Sequence, residues 1–161
     1  MNNEEWNNSK NALEMLKALK AHSEKDYLNR RNSLQRYFIK CCQKKLFLLP
    51  LPEFKNGLEV TSKYIKNQAS RKDVSKQNWK TEGEVFNIEY NGQPTIVSRC
   101  LRLVRIKTGL PHNKAKEYAV RFGYFIDWTT LYATDFNGEI PEIHSNFFSS
   151  EILKREIRNP F

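Results

Sequence analysis

The chain has 161 residues, 39% hydrophobic, 12% aromatic and 28% charged, with 27 basic against 18 acidic side chains and a net charge of +9. That length suits one domain, spanning 1–161 and able to bury roughly 70% of the surface its unfolded chain exposes. The aromatic content excludes a disordered tail, and no apolar run approaches the ~20 residues of a membrane span.

Met1 to Trp6 shows no basic stretch followed by an apolar one, so the expected protein lacks a secretory signal and is cytoplasmic. Cys41, Cys42 and Cys100 form neither a disulfide framework nor a CxxC pair, and read as small apolar residues in reduced form.

Residues 1–50 read as helical. In 4–20, Ala12, Leu13, Leu16 and Leu19 make a narrow apolar stripe, with Trp6 further back. Ser23 followed by Asp26 resembles a capping box that restarts a helix. That helix would turn Tyr27, Leu28, Leu34, Tyr37, Phe38, Cys41 and Cys42 inward, and Arg30, Arg31, Arg36, Lys40, Lys44 and Lys45 outward. Pro50 and Pro52 must end it. Residues 53–82 form a basic connecting segment. Phe54, Leu58, Ile65 and Tyr64 can share a helical face, weakened by Gly57, while 68–80 reads as a solvated helix end or a mobile basic loop.

From residue 83 the pattern turns to alternation, and 83–161 is expected to be mainly β with a short C-terminal helix. Phe86, Ile88 and Tyr90 share one face of a strand, and Asn91-Gly92 is a strong hairpin signal. That hairpin pairs Phe86 with Val97, Ile88 with Thr95 and Glu84 with Arg99. Tyr118, Val120, Phe122, Tyr124 and Ile126 alternate as a third strand, and Trp128 to Phe136 returns as a fourth before Asn137-Gly138. Ser149 or Ser150 caps a last helix, Glu151 to Arg158. The expected fold class is therefore α+β, with N-terminal helices packed on a three- to four-stranded antiparallel sheet. The competing pattern makes Thr95 to Lys107 a helix ended by Gly109, giving a helix–turn–helix over 95–122.

The charge is unevenly placed. Residues 30–80 hold 13 basic residues against Glu53, Glu59 and Asp73, and 99–121 hold seven against Glu117 alone. The last forty residues run acidic. Such asymmetry creates an oriented positive field, which attracts polyanions. Arg36, Lys40 and Lys44 lie in one i, i+4, i+8 row whose mutual repulsion destabilises an isolated helix, so the row needs solvation or a polyanion. Lys107, Lys114 and Lys116 punctuate what reads as a long basic hairpin loop beside aromatic strands that could stack unpaired bases.

Catalytic patterns are missing: no GxGxxG, GxxxxGK[ST], HExxH or GxSxG occurs. The Glu53-Phe54-Lys55 triplet has the ExK spacing of one nuclease class but follows a proline, with Asp26 on an expected helix. His22, His112 and His144, with Arg99, Arg105 and Arg121, are the material available for a metal-free ribonuclease. The leading expectation is a non-enzymatic nucleic-acid-binding or accessory protein, with DNA or RNA as partner, without cofactor or metal, using Arg36, Lys40, Lys44, Lys107, Lys114 and Lys116. The alternative is a protein–protein module (inhibitor, adaptor or subunit) that docks on an acidic partner. A small ribonuclease comes third. Sixteen asparagines, and seventeen lysines against ten arginines, fit an AT-rich genome such as that of a phage or mobile element.

Overall fold

Local signals start most of the helices. A computed structural model describes residues 1–143 and 145–161. Asn2 caps α1 (Asn3–Asn8) in a reciprocal capping box with Glu5, and Asn11 caps α2 (Ala12–His22). Ser23 Oγ accepts from the Asp26 amide at 3.2 Å and starts α3 (Glu24–Asn29), as its spacing anticipated. The long N-terminal helices of the sequence reading are thus each cut in two, α3 giving way to α4 (Arg31–Lys45) at Arg30. A short 3-10 turn, Leu46–Leu48, then leads to α5 (Pro52–Ile65), which takes Pro52 in its first turn, where a missing N–H costs nothing. Ser70 and Asp73 form a second capping box and open α6 (Arg71–Tyr90). The segment read as a solvated helix end or basic loop is this helix's first half.

α7 (Pro94–Thr108) ends at Gly109, whose φ of 71° suits a left-handed helix stop. Gly109, Leu110 and Pro111 connect it to α8 (His112–Thr134). After a second 3-10 turn, Ser145–Phe147, Ser149 caps α9 (Ser150–Glu156).

The longest helix, α8, is the centre of the packing. α4, α5, α6 and α7 all lie against it, while α9 closes on α4 and α2. Its buried residues, Ala115, Tyr118, Ala119, Phe122, Phe125, Ile126, Thr129 and Tyr132 among them, recur at steps of three and four. Two glycines permit the close approach. A Cβ on Gly57 would stand 2.8 Å from Thr81 Oγ1 and 3.3 Å from Thr130 Cγ2, and one on Gly123 would stand 3.1 Å from Val85. The core is rich in rings, with Phe38 edge-on to Phe125, Trp128 and Tyr132.

The α+β expectation is wrong. Among the described residues helix makes up 77% and no strand occurs, so neither the antiparallel sheet nor the mainly β region expected over 83–161 is found there. Each alternation had another cause. In α6, Ile88 is buried whereas Phe86 and Tyr90 are exposed one turn apart, so the three never share a face. In α8 the apolar residues of 118–126 alternate because neighbours on several sides require most of the helix to be apolar. Asn91-Gly92 is a helix stop: Asn91 takes φ 54°, the Gly92 amide donates to the Asn87 carbonyl at 3.0 Å, and Gly92 has no positive φ. A type I′ hairpin needs positive φ at both positions. The helices on either side of Gly109–Pro111 occupy the place of the competing helix–turn–helix pattern.

Candidate functional site

The row Arg36, Lys40, Lys44 does lie along the solvent side of α4, but two of its charges are occupied. Arg36 Nε donates to Glu156 Oε2 at 3.2 Å, and Lys40 Nζ donates to Glu156 Oε1. Burial favours the neutral form of Glu156, yet the hydrogen bonds from Lys40 and Arg36 hold its carboxyl below the ordinary range. The counter-charge that the row demanded is therefore a carboxylate of α9, some 116 residues away in the chain. Lys44 remains exposed and free of that carboxylate.

Lys44 borders a cleft of about 750 Å³ between α4, the α1–α2 connection and the start of α9, which Lys10, Lys45 and Lys154 also line. Lys154 is tied down there, donating to the carbonyls of Asn7 at 2.7 Å and Ser9 at 2.8 Å. Lys45 lies deeper and reaches the Tyr118 hydroxyl at 3.5 Å. Burial, and secondarily the neighbouring Lys44, push its ammonium pKa down. Glu151 is the carboxylate on this cleft's rim.

Lys107, Lys114 and Lys116 come from the corner where α7 becomes α8, not from a hairpin loop. Lys107 is exposed in the last turn of α7, where a cation complements the helix dipole. Lys114 and Arg121 share Glu117, at 4.0 and 2.8 Å, and Lys116 is half-buried. On α7 itself, Arg99, Arg102 and Arg105 face outward at steps of three and have no acidic partner among the described residues. Arg102, Arg105, Ile106 and Leu110 line a groove of about 510 Å³. Leu110 also lines a second groove, of about 470 Å³, with Lys114, Tyr118 and Arg121. Asn146 lines that second groove and the Lys44 cleft alike. The three concavities therefore adjoin and make one basic belt from α7 to α4.

The sequence pattern named the arginines of α7 but placed them on strands. Their step of three was the signal for a helical row. Glu156 carried no signal, since nothing local links it to Arg36.

The catalytic material is scattered. His112 is exposed at the first position of α8, and His22 at the end of α2 stacks edgewise on Phe161 at 5.0 Å. His144 lies outside the described residues. Glu53 of the ExK triplet accepts from Gln77 Nε2 at 2.8 Å, on a helix rather than a strand. Among the described residues no three metal-ligating side chains come together, and no helix is long and apolar enough to cross a membrane. Cys41, Cys42 and Cys100 are free and buried, and burial raises each thiol's pKa, that of Cys41 to about 11.

The fold and this surface define an all-helical protein with a belt of cations on one flank. Compared with known proteins, the chain matches no family model, no curated protein and no solved structure.

Proposed function

We propose that this is a non-enzymatic nucleic-acid-binding protein that docks phosphates along the belt from Arg102 and Arg105, past Lys107, toward Lys44, with Lys114 and Arg121, which share Glu117, supplying one net positive charge between them. The supporting observation is the unpaired arginine row of α7 beside the adjoining grooves. Cations without internal partners keep their full attraction for a polyanion, whereas Arg36 and Lys40 are already neutralised by Glu156. Fluorescence anisotropy with duplex and single-stranded oligonucleotides across a salt series tests the reading. Arg102→Glu with Arg105→Glu should weaken binding to all sequences and flatten the log-affinity against log-salt slope by about two units on duplex DNA. Absence of binding by the unmutated protein at low salt refutes it.

One feature favours an acidic protein as partner instead: Ile106, 67% exposed, sits within the arginine row, where a phosphate backbone has no use for an apolar group. Under that reading Ile106→Asp abolishes binding to the partner. Under the nucleic-acid reading it lowers affinity only by adding one negative charge.

A further inference from the structure

α6 has two apolar seams, and only one is covered. Val74, Thr81, Val85 and Ile88 face the core. On the opposite side, Lys72, Lys76, Trp79, Gly83, Phe86 and Tyr90 follow one another at alternating steps of four and three, the spacing of a coiled-coil seam. Trp79 is 75% exposed, Tyr90 72% and Phe86 43%, with the last two rings 6.2 Å apart. Gly83 leaves a gap in the middle, since a Cβ built there meets nothing within 4 Å.

Apart from Arg71 and Asp73 in its first turn, which pair with Asp135 and Ser70, the charges on this helix are divided by halves. Lys72, Lys76 and Lys80 lie before the midpoint and make no ion pair among the described residues. Glu82 and Glu89 lie after it, flanking the aromatic seam, and Glu89 accepts from the Tyr124 hydroxyl. A helix that is basic at one end and acidic at the other is complementary to itself when reversed.

We propose that the seam binds a second copy of this chain, making an antiparallel two-fold dimer of α6 helices centred at the level of Thr81. That register seats Trp79 over Gly83 of the second copy, a large knob in the one vacant hole. It also sets Lys76 over Phe86 and Lys72 over Tyr90, where an ammonium meets a ring face. Every position of the seam finds a partner, and each contact occurs twice, as an isologous interface requires. A parallel pair would instead set lysine against lysine. At these exposures the three aromatics remove about 400 Å² from water per copy. With the lysine stems, the pair reaches at most roughly 1,000 Å² in total, the lower end of specific interfaces. The dimer stands apart from the nucleic-acid reading, because it forms without nucleic acid.

The test is sedimentation equilibrium of the full chain from about 1 to about 200 μM, without nucleic acid. The weight-average mass should rise from 19.1 kDa toward twice that value. Trp79→Glu, at an exposed position, should abolish the rise while circular dichroism stays unchanged. Gly83→Trp should weaken association about tenfold by filling the hole opposite Trp79, and adding Trp79→Gly should restore it, because the exchanged knob and hole again match across the two-fold axis. A monomer at the highest concentration overturns the proposal, as does failure of the double exchange to restore association. Quenching of Trp79 fluorescence by a single-stranded oligonucleotide bound to a monomer also overturns it, by giving the seam to a different occupant.

Discussion

Asp127 offers the sharpest test of the packing around α8. It lies beside an open pocket of about 770 Å³ that Lys20, Tyr124, Trp128 and Glu139 also line, and its Oδ1 accepts from Asn78 Nδ2 at 2.7 Å. Burial, reinforced by the nearby Glu82, raises its pKa from 3.8 to about 7. The unfolded chain ionises this group near its ordinary value, so between about pH 4 and 7 the folded protein holds a proton that the unfolded one has released. Stability therefore falls as pH rises through that window and is level above it. Three units correspond to about 4 kcal/mol, which water in the open pocket reduces to about 2 kcal/mol. Asp127→Asn keeps an acceptor for Asn78 and removes the charge. Urea denaturation at pH 3 and pH 8 should give nearly equal stabilities for the two proteins in acid, and a variant more stable by about 2 kcal/mol at pH 8. Other titrating groups are common to both proteins and cancel in the difference. A difference that does not change with pH refutes the argument.

Two further outcomes follow from close contacts. Gly57→Val drives a branched side chain into Thr81 and Thr130 and should cost about 1–3 kcal/mol, read as a lower thermal midpoint; an unchanged midpoint contradicts the tight α5–α6–α8 contact. Glu156→Gln should cost about 1 kcal/mol at neutral pH, modest because Arg36 and Lys40 are half-exposed. Since the folded pKa of Glu156 is depressed, that cost should vanish as pH falls through it. The same variant frees two cations and should raise affinity for a polyanion at low salt; unchanged affinity places α4 off the binding path.

Where a residue's role depends on its near neighbours in the chain, the sequence was legible. Ser23 and Ser149 cap the helices they precede, and Leu16, Leu19, Tyr37, Phe38 and Leu153 are buried. The error began at residue 83, where a run such as Phe86-Asn87-Ile88-Glu89-Tyr90 has apolar groups at a spacing of two. A helix with one buried seam and one exposed aromatic seam produces that same spacing, so periodicity alone could not separate the two. For the site, the basic residues at 107–116 were identified by charge, but the surface that joins them to Arg102 and Lys44 was not.

The sequence by itself determined an uneven positive charge, buried reduced cysteines and the capped helix starts, because composition and capping act within a few residues. Only the tertiary structure decided that 83–134 is helical, since burial of α8 on several sides outweighed its strand-like alternation. It also decided which cations remain free. Glu156 lies near Arg36 and Lys40 only because α9 packs on α4, and a carboxylate brought within hydrogen-bond distance neutralises charges that the chain alone leaves unpaired.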